Sequence, residues 1–342
     1  MRLWLLLGVI IGLTYSQVIN LAIRKWYYVV PVKIGTPNQT LYFALDVRTK
    51  DFWAYGGLCY EISSKCTKGT LQYFRGHSSS TYQGGVGTQT FNYTDFYYSG
   101  NGTVTASTAN DKVVIDTIDM GTLNFGLSMS ADYAFYKTLN ASGVLGFGLG
   151  SNTSSSLDWT TVIGGNSYTL RTNDANETAT ITNGTDSTCA SPYHYISLSS
   201  TNSSSKWVIP LTGFLFGNVT GGTLTGHTAS FTTVNKNIEI PLAQYQPIHD
   251  EIVRLYYDFQ WSHNLVDCRK RDQLPDLNLT FGGRNYTVTP YQYIRQTPTN
   301  YCILRLVPNY QSNEWVLGYP FHQRHCEEYD AGNDRIGLST PS

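Results

Sequence analysis

Charge is scarce in this chain. Asp, Glu, Lys and Arg make up 14% of its 342 residues, against a usual share of about 25%, and 23 basic residues nearly cancel 24 acidic ones. No basic run or stripe is left to hold nucleic acid or an anionic membrane surface. Long apolar runs are equally scarce. The longest, Leu3 to Leu13, is far short of the roughly 20 residues that span a bilayer. Helical periodicity is nearly absent; Pro247 to Tyr257 is the best stretch, with Ile248, Ile252, Val253 and Tyr256 on one face. The common catalytic signatures are missing too: no Gly-X-Ser-X-Gly, no His-Glu-X-X-His and no phosphate-binding Gly-Lys-Ser/Thr. Gly146-Phe147-Gly148-Leu149-Gly150 lacks the third spacing and the βαβ setting of a dinucleotide loop. No Cys-X2-Cys occurs, and His322 and His325 beside Cys326 fall on an expected strand, where positions i and i+3 face opposite sides. Neither a metal nor a cofactor is therefore expected.

What is present points to export. Met1-Arg2 sets a positive charge before the apolar run, and Thr14-Tyr15-Ser16 offers small residues for signal cleavage, so residues 1–16 read as a removable signal peptide. Asn-X-Ser/Thr acceptors recur at Asn38, Asn92, Asn101, Asn140, Asn152, Asn176, Asn183, Asn202, Asn218, Asn278 and Asn285. A glycoprotein is expected, secreted or held in the lumen of the secretory or lysosomal pathway, with no membrane contact after signal cleavage, and monomeric. The length suffices for two cores, since one rarely grows past about 250 to 300 residues. Segments such as Trp26 to Ile34, Thr40 to Leu45, Val113 to Ile118, Trp207 to Leu211 and Asn278 to Thr287 are rich in Val, Ile, Tyr, Phe and Thr, and Gly, Asn and Ser clusters divide them. The fold class is all-β. Each half also ends on the same echo, Val144-Leu145-Gly146 and Val316-Leu317-Gly318.

Around that echo the chain resembles the pepsin-like aspartic proteases (peptidase family A1), most of all their secreted nematode members. Tyr27 to Trp53 follows the family's first strands and Ile-Gly-Thr-Pro turn into the segment of the first catalytic Asp. Ser79-Ser80-Thr81-Tyr82, Phe125-Gly126-Leu127-Ser128, Leu274-Pro275-Asp276-Leu277, and Arg335-Ile336-Gly337-Leu338 match later segments in order. The resemblance implies a bilobal fold of two six-stranded, barrel-like lobes with a cleft between them, over residues 22–163 and 164–342. It implies the disulfides Cys59–Cys66, Cys189–Cys326 and Cys268–Cys302, one choice among the 15 pairings that six cysteines allow. It also implies a flap over the cleft, carried here by Tyr98, Gly100 and Gly102. The cleft is where a peptide, protein or glycan would bind.

The family's chemistry needs an Asp from each lobe, the two sharing one proton, each within Asp-Thr-Gly. Here the first motif reads Asp46-Val47-Arg48, with Thr49 following. Asp46 keeps the carboxylate, Val47 replaces a hydroxyl, and Arg48 sets a long cation where Gly permits close approach. In the second half Ala229, Pro241, Ile248 and Ile252 align, and they place Thr232-Thr233-Val234 at the motif. Thr232 then stands for the second Asp, and a threonine hydroxyl does not ionise at acid or neutral pH. Asp116-Thr117-Ile118 is the nearest lookalike, but in the wrong half, and Asp250 falls on the expected helix. Ser142 and Tyr319 stand where the family often has Asp. The expectation is a pepsin-like protein that has lost proteolysis. The alternative is an active aspartic endopeptidase whose second acid lies elsewhere.

Overall fold

The computed structural model describes residues 17–24, 26–61, 72–93, 102–132, 139, 141–150, 153–199, 206–255, 265–297 and 302–342. The expected signal segment lies outside them. Among the described residues the strands form four sheets of 13, 5, 4 and 3 strands. The all-β expectation holds: strands such as Val18–Arg24 and Leu277–Phe281 alternate, with one side chain in two against a core, while Phe52–Tyr55, Gly143–Gly146 and Cys326–Asp330 are buried on both faces. No helix among the described residues is long and apolar enough to cross a membrane.

The largest sheet joins the two ends of the chain. Val18–Arg24 lies between Tyr27–Ile34 and Thr178–Asn183, and the order continues through Ser167–Asn173 to Cys326–Asp330 and Arg335–Ser339. One hydrophobic cluster runs through both halves, from Ile19 to Leu338. A second gathers Tyr27, Trp53, Tyr55, Phe91, Tyr93 and Val144 of the first half around Val234 of the second.

The echoed tripeptides hold matching places. Gln39–Asp46 runs parallel to Gly143–Gly146 with Asp46 opposite Gly146, and the chain returns as Phe52–Tyr55, antiparallel to the same short strand. In the second half Thr228–Phe231 runs parallel to Glu314–Leu317 with Phe231 opposite Leu317, and Ile238–Pro241 returns antiparallel to it. Each motif loop thus leaves and re-enters beside one central strand that ends in Val-Leu-Gly. Glycine is needed there because the loop crosses directly over it. A Cβ on Gly146 would lie 2.2 Å from the Thr49 carbonyl oxygen, and one on Gly318 would lie 2.3 Å from that of Asn237.

Several expected elements shift. The helix spans Leu242–Leu255, starting five residues before Pro247; the buried side chains Tyr245, Ile248, Ile252 secure the early turns that the proline alone disfavours. Val113 to Ile118 is the end of one strand, a turn and the start of the next, since Asp116 takes a left-handed φ of 53° between Gly102–Ile115 and Ile118–Ala131. Asn278 to Thr287 is a hairpin, turned by Gly282 and Gly283. His322 closes the short helix Tyr319–His322, with Pro320 in its first turn, so neither it nor His325 lies on the expected strand.

Cys189 pairs with Cys326, and Cys268 with Cys302, as the resemblance implied. Cys59 is buried, but Cys66 lies outside the described residues, and with it the Cys59–Cys66 expectation. Of the sequons, Asn38, Asn92, Asn176, Asn218 and Asn285 are exposed, while Asn183 and Asn278 are half-buried. Asn101, Asn140, Asn152 and Asn202 lie outside the described residues.

Candidate active site

Asp46 ends its strand fully buried, which demands a counter-charge or donors. Arg48 supplies both. Its backbone N–H donates to Asp46 Oδ1 at 2.9 Å, its Nε to Oδ1 at 3.3 Å and its Nη2 to Oδ2 at 3.4 Å. The guanidinium therefore folds back along its own loop and engages both oxygens of the carboxylate. Val47 is buried in the main core, and Thr49 Oγ1 accepts from the Asp51 N–H at 3.1 Å, bracing the loop.

The second loop meets the first through one side chain. Thr233 donates its hydroxyl to the Leu45 carbonyl at 2.5 Å and accepts from the Val47 N–H at 3.3 Å. A single hydroxyl thus satisfies two buried backbone groups of the opposite half. Thr232 is fully buried. Its N–H donates to the Leu317 carbonyl at 3.0 Å, and its Oγ1 accepts from the Val234 N–H at 3.4 Å. Val234 is driven into the aromatic cluster of the first half, beside Tyr27 and Tyr55.

Beneath Thr232 lies an ionic group that sequence reading did not single out. His322 Nε2 faces the Thr232 carbonyl at 2.9 Å, and Nδ1 faces both oxygens of Glu327 at 2.7 and 2.8 Å. Both ring nitrogens meet acceptors, so both carry protons and the ring is an imidazolium. Burial would lower its pKa, but the Glu327 charge and the hydrogen bonds to Glu327 and Thr232 raise it overall. Tyr329 also donates to Glu327, at 2.6 Å. His325, three residues on, is the opposite case: burial holds it down at about 4.

The flap residues Tyr98 and Gly100 lie outside the described residues, and Gly102 begins the strand Gly102–Ile115. Among the described residues Tyr93, at the end of Gln83–Tyr93, is an aromatic side chain close enough to Asp51 and Asp46 to feel their charge. Its hydroxyl accepts from Trp53 Nε1 at 2.7 Å, and burial, with the nearby carboxylates Asp51 and Asp46, pushes its pKa well up. Sequence reading did not single Tyr93 out. Of the other acids weighed, Asp116 sits at an exposed hairpin turn accepting from Asn20, and Asp250 is exposed on its helix. Ser142 and Tyr319 are both buried, and Tyr319 donates to Asp174 at 2.7 Å.

The family model for eukaryotic aspartyl protease matches residues 27–341. The chain belongs to this family. It is 24% identical to human gastricsin over 327 residues, covering 90% of this chain and 80% of gastricsin. It is 26% identical to dog renin over 338 residues, with 90% and 77% covered, and 25% identical to rat renin over 329 residues, with 90% and 78% covered. The sheets described above are those of the bilobal pepsin-like fold.

Proposed function

We propose that this family member does not cleave peptides and that binding is the role left to its scaffold. We further infer that it is secreted and glycosylated, on the strength of its leader-like start, its sequons and its disulfides. The observation that carries the reading is the Asp46–Arg48 pair: both oxygens of the one retained carboxylate are taken by a neighbouring guanidinium. A catalytic dyad shares a proton between two acids and uses it on a bound water. A carboxylate held in a buried ion pair, with threonine at the place assigned to its partner, has no second acid with which to share a proton for that step.

Thr232 is our assignment for the place of the missing acid. Asp46 lies opposite Gly146 of the first Val-Leu-Gly, and one residue past Phe231, opposite Leu317 of the second, comes Thr232. The cross-loop hydroxyl of Thr233 supports the same register, since it sits where the family's motif threonine ties the loops. The cleft between the lobes, floored by these loops, is the place for a peptide, protein or glycan.

A peptide bearing a secondary alcohol in place of its scissile amide tests this reading. A working dyad grips that hydroxyl and binds such an analogue at least about a hundredfold more tightly than a matched peptide without it. Equal affinity for the two is expected here. A large preference for the alcohol, lost in Asp46→Asn, would mean that a second acid is at work.

A further inference from the structure

Away from the motif loops, a cavity of about 380 Å³ opens between the C-terminal strand and the hairpin 277–288, with Arg284, Arg324, His325, Tyr286, Thr287 and Ser339 in its wall and no Asp or Glu. Its arginines are unusual. The other described arginines either pair with a carboxylate, as Arg48, Arg171, Arg254, Arg269, Arg295 and Arg335 do, or lie over an aromatic ring, as Arg24, Arg75, Arg271 and Arg305 do. Among the described residues only Arg284 and Arg324 have neither, and both border this one cavity. In a chain with 24 acids for 23 bases, two unmatched guanidiniums at one opening mark a place for an anion.

The rest of the wall asks for hydroxyl donors. His325 Nδ1 lies 2.8 Å from the Phe321 carbonyl, an acceptor only, so it is the protonated nitrogen and Nε2 keeps a lone pair. Nε2 has no hydrogen bond to a described residue, and His325 lines the cavity. Burial, with smaller help from the His322 and Arg324 charges, lowers the ring's pKa to about 4 and so keeps it neutral near pH 7. Ser339 gives its hydroxyl proton to the Ala190 carbonyl, and Thr287 gives its own to Asn278 at 2.7 Å. Each leaves an oxygen that can accept but not donate. The cavity thus combines two cationic donors at the rim with three acceptors inside, in a volume suited to a small ligand.

We propose that this cavity binds an acidic sugar unit of the uronic-acid class, its carboxylate on Arg284 and Arg324 and its ring hydroxyls on His325, Ser339 and Thr287. An acidic peptide side chain supplies the anion but no hydroxyls, and a neutral sugar supplies hydroxyls but no anion. The site is separate from the motif loops, so the proposal stands whether or not the protein cleaves peptides.

D-glucuronate is the probe, titrated into the purified full chain and followed by calorimetry and by the NMR signal of the His325 ring nitrogens. Saturation in the millimolar range is expected, with glucose and sulfate each at least about tenfold weaker. Arg284→Gln with Arg324→Gln should weaken glucuronate by roughly tenfold or more while leaving thermal unfolding unchanged, because both side chains are exposed. Asn285 also lines the cavity and carries a sequon, so Asn285→Gln is titrated in parallel. Failure to saturate in both forms overturns the proposal. So does binding of sulfate or glucose as strongly as glucuronate, or unchanged binding by the double variant.

Discussion

On the proposed reading, the two motif loops have eroded in complementary ways. The first keeps its acid and has lost its tie: Asp46 remains, but Val47 has no hydroxyl to send across. The second keeps its tie and has lost its acid: Thr233 still spans to Leu45 and Val47, while Thr232 offers no carboxylate. Holding the lobes together and doing chemistry are therefore separable tasks of the same tripeptide. On the same proposal, one surviving threonine suffices for the first task, and one surviving aspartate does not suffice for the second.

The largest expected effect comes from undoing both losses. Thr232→Asp alone should stay inactive, because the Arg48 guanidinium already engages both oxygens of Asp46 and stands where the two carboxyls would have to meet to share a proton. Adding Val47→Thr, Arg48→Gly and Val234→Gly restores both acids, both ties and the close approach. Acid-pH hydrolysis of peptides is the expected result, and the backbone changes should count heavily, since a misplacement of about 1 Å can cost a hundredfold in rate. Strong activity from Thr232→Asp alone would show that Arg48 matters less than its two contacts indicate.

The next effect separates the floor of the second loop from that of the first. His322→Leu leaves Glu327 buried without its cation and should cost about 3–5 kcal/mol in denaturant unfolding. The pH dependence is more telling. The folded pKa of His322 is raised, so its stabilisation is complete below the ordinary value of 6.5 and is lost as pH rises through the raised value. The folded pKa of His325 is lowered to about 4, so stability falls as pH drops from 6.5 toward 4, where the unfolded chain takes up the proton first. The two histidines together place a stability maximum near pH 6.5. His322→Leu should flatten the alkaline limb of the unfolding midpoint against pH, and His325→Phe the acid limb. Unchanged limbs would mean that other groups carry the dependence.

A smaller effect tests the tie itself. Thr233→Val removes the hydroxyl that serves the Leu45 carbonyl and the Val47 N–H, and it should cost about 1–3 kcal/mol in chemical denaturation. Val234→Ala, in the same loop but with no polar role, loses only apolar contact with the Tyr27 and Tyr55 cluster. Equal pH-independent losses for the two variants would indicate that packing, rather than the tie, joins the loops.

Segments rich in Val, Ile, Tyr, Phe and Thr, divided by Gly, Asn and Ser clusters, made the all-β class legible in the sequence, and the Val-Leu-Gly echo marked two strands that hold matching places. Turns were less legible. Gly282-Gly283 and Asp116 reverse the chain inside stretches of high β propensity, where composition alone reads a continuous strand. The ionic contacts were hidden for a related reason. Asp46 and Arg48 pair only because the chain leaves its strand at Asp46 and turns back on itself. His322 and Glu327, five apart, would face opposite sides of a strand, and the short helix opened by Pro320 brings them together. Tyr93, anchored by Trp53, was not legible as a neighbour of Asp46 because nothing in the sequence ties the two together.

Hydrolysis of a broad peptide library from acid to neutral pH, beside an Asp46→Asn control, measures the central claim directly. With Asp46 engaged by Arg48 on both oxygens, the protein should release no fragment that the control does not also release. Cleavage that vanishes in Asp46→Asn and is blocked by the alcohol-bearing peptide would contradict the account and establish a working second acid.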